Sequence, residues 1–293
     1  MPTGATIEFA GLTKRFGRVT AVDDLTFTVR PGRVTGFLGP NGAGKTTTLR
    51  MLLGLERSSA GTATFDGVRY RRLRRPLEAS SFHPGRSARD HLRVYAQAAR
   101  VPARRVAAVL ATVGLSDYAD RRVGGYSIGM RQRLGLAFAL LGDPGVLVLD
   151  EPINGLDPEG IRWIRQFLRR LAAEGRTVLV SSHLLSEVQR SVDEVVVISR
   201  GRLVYQGDVA GIGGGSARVV ADSPTRQRLA QALGDARLAF EAGPDGFLVS
   251  GPGADAAAVG HAAFTAGVEL SQLRTEAGGI EEAFIDLVGE GGL

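Results

Sequence analysis

Nine residues near the start of the chain have the types and spacing of a phosphate-binding loop. Residues 39–47 contain Gly39, four further residues and then Gly44, Lys45 and Thr46, after an apolar run. Glycines let backbone N–H groups curl around phosphate oxygens, and the following helix N-terminus adds partial positive charge. The chain has 34 arginines but only two lysines, so composition does not explain a lysine here. We therefore predict a nucleoside triphosphate site with the binding residues Gly39, Asn41, Gly42, Gly44, Lys45, Thr46 and Thr47.

Two acids follow an apolar segment later in the chain. Residues 146–149 are Val-Leu-Val-Leu and directly precede Asp150 and Glu151. A buried strand at this place would aim Asp150 at the Mg²⁺ that the Thr46 hydroxyl also binds, and Glu151 could polarise an attacking water. The alternative is a strand end whose acids only cap the next helix. With the loop upstream, we predict Thr46 and Asp150 as metal ligands and Glu151 as a catalytic residue.

A third segment, residues 126–133, lies just before the acidic strand and reads Tyr-Ser-Ile-Gly-Met-Arg-Gln-Arg. A serine that caps a helix N-terminus suits an anion, although a plain Ser-capped helix has the same pattern. The segment resembles the signature of the ATP-binding cassette (ABC) ATPases, commonly Leu-Ser-Gly-Gly-Gln. By this resemblance, Ser127 and Gly129 present a hydroxyl and a backbone N–H to phosphate. The chain departs from the common form at Tyr126, Ile128 and Met130.

The resemblance extends over residues 5 to about 210, with six motifs in the family's order. Residues 155–158 resemble the family's D-loop, which implies that Asp157 belongs to the nucleotide site. His183, in Ser-Ser-His after an apolar strand, resembles the switch histidine that contacts the γ-phosphate. Phe16 matches the aromatic residue that stacks on adenine, and a packed loop phenylalanine is the alternative. The implied ligands are ATP and Mg²⁺.

One family position departs from the pattern. Relatives carry a glutamine that touches Mg²⁺, in a loop between the phosphate loop and the signature. The best match here is Glu78, whose carboxylate could bind the metal or raise the pKa of a neighbouring acid. The apolar strand expected before it is hard to find, because residues 69–76 contain five arginines. This run is interpreted as a solvated loop or as a contact to a partner or to lipid headgroups.

The order of elements predicts an α/β fold. Alternating strands and helices after residue 146 indicate a P-loop NTPase core with a mixed, largely parallel sheet. Residues 86–141 are helical in pattern and would form an inserted subdomain. We expect an ABC nucleotide-binding domain over residues 1–210, then a Gly-rich linker and a small accessory α+β domain over residues 216–293, with a strand at 268–273.

Bulk composition limits the classes of function. The net charge is +6, which is compatible with an anionic ligand, a membrane face or nucleic acid. The chain has no cysteine, which excludes disulfides and thiolate metal sites. No apolar stretch approaches the ~18 residues that span a bilayer. We expect a cytoplasmic protein, peripheral on the cytoplasmic face of the cell membrane, that acts on the membrane through a partner.

These features together favour the ATP-hydrolysing subunit of an ABC transporter. Within the family, the Tyr-Ser-Ile-Gly-Met-Arg segment and the C-terminal extension most resemble subunits that export antibiotics, drugs or other hydrophobic compounds. The expected partners are a membrane-spanning permease and a second cassette, in a homodimer, with no nucleic acid. Each ATP would lie between the loop of one cassette and the Ser127 segment of the other, with Glu151 as general base.

Two alternatives come from other classes of protein. A soluble ABC-type ATPase could use the basic charge to act on nucleic acid or ribosomes. Such proteins usually have a long coiled-coil insertion or two cassettes on one chain, and neither is found in this sequence. A small-molecule kinase would explain the phosphate loop but would leave residues 126–133 and His183 without a role.

Overall fold

A computed structural model of the chain describes most of its length and divides it into two compact units after Gly207. The described residues are 3–70, 82–185, 191–212, 218–251, 254–276, 284 and 289. Glu78 and most of the arginine run lie outside these ranges. The expectations attached to them therefore stay predictions.

The first unit contains two sheets and five helices of two turns or more among its described residues. The strands are β1 (Ile7–Phe16), β2 (Val19–Val29), β3 (Val34–Leu38), β4 (Ala60–Phe65), β5 (Val146–Leu149), β6 (Thr177–Ser182), β7 (Glu194–Ser199) and β8 (Arg202–Gly207). The helices are α1 (Lys45–Leu52), α2 (Ala88–Ala98), α3 (Arg104–Thr112), α4 (Ile128–Leu140) and α5 (Pro158–Ala173).

The central sheet has the strand order β5-β6-β3-β7-β8. The first four strands are parallel, and β8 joins them antiparallel at one edge. Every residue of β3, β6 and β7 is buried, which explains why these segments are almost continuously apolar in sequence. The prediction of an α/β fold with a mixed, largely parallel sheet is confirmed.

Parallel strands place their carboxyl ends at one edge of the sheet, where open α/β proteins bind ligands. At this edge β3 leads into the phosphate loop, β5 into the two acids and β6 into His183. The sheet therefore brings the phosphate loop together with two segments that follow it by more than a hundred residues in the sequence.

A second, antiparallel sheet with the order β2-β1-β4 packs against the central one. The rings of Phe9 and Phe27 stack with centroids 4.1 Å apart, and Phe27 lies 5.5 Å from Phe37 of β3. Leu49 and Leu52 of α1 are buried in the same cluster. This core fixes the helix that begins directly after the phosphate loop.

The helices between β4 and β5 form a group in which α2, α3 and α4 contact one another. Ser87 caps α2 by accepting a hydrogen bond from the N–H of Asp90. The following helix α5 buries the apolar face formed by Ile164, Phe167, Leu168 and Leu171. Three helices therefore lie in residues 86–141, and their assignment to an inserted subdomain stays a prediction.

The second unit is a small α+β structure. After a single helical turn at Val209–Ile212, its elements are β9 (Arg218–Asp222), α6 (Arg226–Asp235), β10 (Ala239–Gly243), β11 (Gly246–Ser250), α7 (Ala256–Thr265) and β12 (Gln272–Glu276). The strands form an antiparallel sheet with the order β10-β11-β9-β12. This β-α-β-β-α-β arrangement is the ferredoxin-like split motif.

The strand predicted at residues 268–273 is present but begins four residues later, as β12 at Gln272. Gly267, with a φ of 60°, follows the end of α7, and the N–H of Val268 donates to the Ala263 carbonyl. This is a glycine-based helix end, and its hydrophobic contact accounts for the burial of Val268. The valine therefore packs as part of a helix cap.

Candidate nucleotide site

The phosphate loop has a backbone that only glycine adopts without strain at two positions. Gly42 and Gly44 have φ values of 83° and 101°, in the left-handed region. A Cβ atom on Gly44 would lie 2.4 Å from the carbonyl oxygen of Ala21, whereas one on Gly42 would meet nothing within 4 Å. The loop thus packs against Ala21 at Gly44 and is exposed at Gly42. Asn41 beside it is also exposed.

Lys45, at the start of α1, folds back over this loop. Its Nζ donates to the carbonyl oxygens of Gly39 (2.7 Å) and Pro40 (3.2 Å), and the side chain is buried. Burial lowers the pKa of Lys45, while the charges of Glu151 and Asp150 act in the opposite direction. A buried ammonium therefore lies inside the loop, held by acceptors that the loop itself supplies.

Asp150 is held at both carboxylate oxygens. Its Oδ2 accepts a hydrogen bond of 3.0 Å from the hydroxyl of Thr46, and its Oδ1 accepts one from the hydroxyl of Ser181. The neighbouring Thr47 is half-buried on the same turn of α1. The structure thus joins the predicted metal ligands Thr46 and Asp150 directly.

Glu151 connects three of the predicted segments. Its Oε2 lies 3.0 Å from Nδ1 of His183, and its Oε1 lies 3.8 Å from Nζ of Lys45. Its backbone has a φ of 47°, which is uncommon for a residue with a side chain and is often found at functional sites. The phosphate loop, the acid pair and the histidine therefore meet at this carboxylate.

Ser127, Gly129 and Asp157 lie together at one surface pocket, away from the phosphate loop. Ser127 caps α4 through the N–H of Met130 (3.2 Å), and Asp157 caps α5 through the N–H of Gly160 (2.9 Å). All three line a surface pocket of about 210 Å³, and residues 39–47, all of them described, contribute nothing to its lining. The guanidinium of Arg133 covers the ring of Trp163 at its wall, at 4.3 Å. Two helix N-termini therefore converge at one pocket that is separate from the phosphate loop.

Phe16 ends β1, and 49% of its surface is exposed. The ammonium of Lys14 lies 4.6 Å from the centre of its ring and is also paired with Glu56 at 2.6 Å. An exposed aromatic ring with a cation nearby is compatible with a stacking role. The adenine contact stays a prediction.

Ser181 was not predicted as a site residue, although it lies between Asp150 and Glu151 in space. The only signal for it in the sequence is its place two residues before His183 at the end of an apolar strand. Among the described residues, no group of three or more His, Cys, Asp or Glu side chains is arranged to hold a metal. No helix in the described ranges has the length and apolar character needed to span a bilayer.

Comparisons with known proteins identify the family of the chain. The family model described as ABC transporter matches residues 22–154. The ABC transporter ATP-binding protein YhcH of Bacillus subtilis (strain 168) is 43% identical over 208 residues, which are 68% of this chain and 68% of that protein. The bacitracin transport ATP-binding protein BcrA of Bacillus licheniformis is 41% identical over 210 residues, 68% of this chain and 69% of BcrA.

A third relative and a solved structure extend the comparison. The lantibiotic transport ATP-binding protein SrtF of Streptococcus pyogenes is 33% identical over 210 residues, covering 70% of this chain and 92% of SrtF. A solved ATP-binding subunit of an ABC transporter superposes with a TM-score of 0.62 and 27% identity, over 70% of this chain and 91% of that one. From its motifs, its fold and these relatives, the chain belongs to the ATP-binding subunits of ABC transporters, which bind and hydrolyse ATP.

Proposed function

We propose that this chain drives export across a membrane, hydrolysing ATP as one of a pair of identical cassettes bound to a separate permease. Its relatives include proteins named for bacitracin transport, lantibiotic transport and Nod factor export. These names favour a transporter subunit over an ATPase that acts on nucleic acid. The chain itself would be peripheral, at the cytoplasmic face, with the region from Glu78 to Arg86 contacting the permease.

The observation that carries the catalytic part of the proposal is the position of the Glu151 carboxylate. It lies within 3.0 Å of His183 and 3.8 Å of Lys45, at the edge of the sheet where the phosphate loop opens. In the proposed mechanism, Glu151 accepts a proton from the attacking water, while His183 holds that carboxylate and steadies the γ-phosphate. When ATP binds, the Lys45 ammonium would donate its hydrogen bonds to phosphate oxygens in place of the Gly39 and Pro40 carbonyls.

Thr46 and Asp150 fit a magnesium ion. A hydroxyl and a carboxylate oxygen 3.0 Å apart are the hard oxygen donors that Mg²⁺ takes, usually with several waters. When bound, Mg²⁺ offsets the negative charge of the phosphates. Glu78 is proposed as a third ligand from the sequence alone. Thr46 would bind the ion directly, and Asp150 would act through water.

The pairing of cassettes is supported by the separation of the Ser127 pocket from the phosphate loop. Ser127, Gly129 and Asp157 are the residues that the family's pattern assigns to ATP, and they line a pocket without any residue of the phosphate loop. In the proposal, these residues complete the site of a second copy, and that copy completes theirs. An isolated cassette would bind ATP but hydrolyse it poorly.

The test is the rate of phosphate release by Glu151→Gln, which keeps the size of the side chain but removes the base. We expect ATP binding to be retained and hydrolysis to fall by ~10²- to 10⁴-fold, the usual contribution of a positioned base. Glu8→Gln, an exposed acid on β1, is the matched control and should turn over normally. Wild-type turnover by Glu151→Gln would contradict the base assignment.

The transporter role is tested by what the protein binds in cells. Affinity purification from detergent-solubilised membranes is expected to recover a multi-spanning membrane protein. Salt-sensitive binding to DNA or RNA without such a protein would instead favour the nucleic-acid alternative. Phosphate transfer to a small acceptor, without release of free phosphate, would favour a kinase.

A further inference from the structure

A buried hydroxyl connects the two acids at the end of β5. Ser181 belongs to β6, is fully buried, and its Oγ lies 2.9 Å from the backbone nitrogen of Glu151. Because the Glu151 N–H is the donor, the serine hydroxyl directs its own proton elsewhere, and it donates to Oδ1 of Asp150. The result is an ordered chain from the Glu151 N–H through the Ser181 hydroxyl to the Asp150 carboxylate.

These hydrogen bonds take over where the backbone pairing of β5 with β6 ends. The pairing of β5 with β6 stops at Leu149 and Val180. One residue further along, the side chain of Ser181 supplies the acceptor for Glu151. Glu151 has a left-handed φ of 47°, a conformation that surrounding contacts must hold in place when the residue is not glycine. The hydroxyl therefore holds the N–H side of the proposed base, while the Glu151 carbonyl accepts a hydrogen bond from the N–H of Asn154 (3.2 Å).

The same hydroxyl also restricts Asp150. Thr46 occupies one oxygen of this carboxylate and Ser181 the other, so rotation of the carboxylate would break one of the two hydrogen bonds. Ser181 itself touches neither Lys45 nor His183 in the hydrogen bonds of the described residues. Its influence on the reaction would thus pass through the two acids.

We propose that Ser181 is a positioning residue for ATP hydrolysis, which sets the orientation of Glu151 and Asp150 together. The inference rests on the proposed role of Glu151 as the base. A single hydroxyl would then align the acid that activates water with the acid that holds the metal shell. Since enzymes lose rate steeply when a catalytic group moves, its removal should act mainly on kcat.

A neighbouring strand provides a matched control. Thr35 lies on β3, beside β6, and is fully buried like Ser181. Its hydroxyl has no hydrogen-bond partner among the described residues. Thr35→Val therefore deletes a buried strand hydroxyl with little change in shape and without touching either acid.

The test compares steady-state ATPase rates and ATP affinity for the full-length chain and its variants. We expect Ser181→Ala to lower kcat about 10- to 100-fold, as for the loss of a buried hydrogen bond to a charged group, with the Kd for ATP changed less than about twofold. Ser181→Thr, which restores the hydroxyl, should recover most of the rate. Thr35→Val should behave as wild type.

A double-mutant cycle separates positioning from general damage. If Ser181 acts mainly through the base, Ser181→Ala should cost less than about threefold in the Glu151→Gln background, because the group it positions is already lost. An unchanged kcat for a folded Ser181→Ala, or the same loss in both backgrounds, would overturn the inference. Wild-type turnover by Glu151→Gln would overturn the base assignment and the inference together, whereas the Ser181 results affect the inference alone.

Discussion

At the scale of single residues, the site is organised around charges that have hydrogen-bond or ionic partners within the protein. Lys45 is buried with its ammonium on two carbonyls of its own loop, and Glu151 is the nearest acid to it. The carbonyl oxygens of the loop therefore offset part of the cost of burying the lysine charge.

The substitution Lys45→Ala tests whether this ammonium contributes to ATP binding. Hydrogen bonds to charged groups contribute about 1.5–3 kcal/mol, so ATP affinity should fall about 10- to 100-fold. Titration with a fluorescent ATP analogue measures this directly. Arg93→Ala, which removes an exposed cation on α2, is the control and should bind ATP normally. Equal affinities for wild type and Lys45→Ala would remove the lysine from the nucleotide site.

Much of the site could be predicted from sequence, because its residues follow short apolar strands at fixed spacing. Asp150 and Glu151 follow the apolar strand β5, and His183 follows the buried strand β6, so the sequence indicates where these side chains lie. Ser181 could not be found this way, since its contacts depend on the register between β5 and β6. The role of Glu78 is predicted only by resemblance to the family, and this residue lies outside the described ranges.

At the scale of elements, parallel strands explain why distant segments meet, and they were the elements easiest to predict. Strands buried on both faces have continuous apolar runs, such as Val-Leu-Val in β6 and Val-Val-Val-Ile in β7. The edge strand β8 is largely exposed or half-buried, and the short strand β10 is similar, so neither has a clear apolar pattern. The strand predicted at residues 268–273 begins too early because Val268 is apolar like a strand residue but belongs to the cap of α7.

Helix α2 gives a prediction on stability and pH. Its His91 is buried against the rings of Phe82, Tyr95 and Phe138, and Nδ1 has no hydrogen-bond partner among the described residues. Burial, and then the charge of Arg86, lowers its pKa below the ordinary value of 6.5. The unfolded chain therefore binds this proton more tightly, and the stability contributed by neutral His91 is lost as the pH falls below about 6.5.

The substitution His91→Leu should make the free energy of unfolding less dependent on pH between pH 7.5 and pH 5. The difference in urea midpoint between pH 7.5 and pH 5 is expected to shrink relative to wild type, since leucine cannot take up the proton. His261→Leu, at an exposed position on α7, is the matched control and should keep the wild-type difference. A pH dependence in His91→Leu as large as that of wild type would show that this histidine does not carry the effect.

At the scale of the whole molecule, the chain combines an ATPase unit with a small ferredoxin-like unit. The relatives cover about two thirds of this chain. Within the first unit, the ATP-binding features are divided between the phosphate loop and the Ser127 pocket. This division is the physical basis for proposing that two chains work together.

The most direct test of the central claim is the mass of Glu151→Gln in solution with and without ATP and Mg²⁺. Sedimentation should show a monomer without nucleotide and a stable dimer with ATP, because hydrolysis can no longer reopen the pair. Glu151→Gln combined with Ser127→Arg, which fills the pocket lined by Ser127, Gly129 and Asp157, should remain monomeric. A Glu151→Gln protein that binds ATP and stays monomeric, or that hydrolyses it at the wild-type rate, would contradict catalysis by paired cassettes.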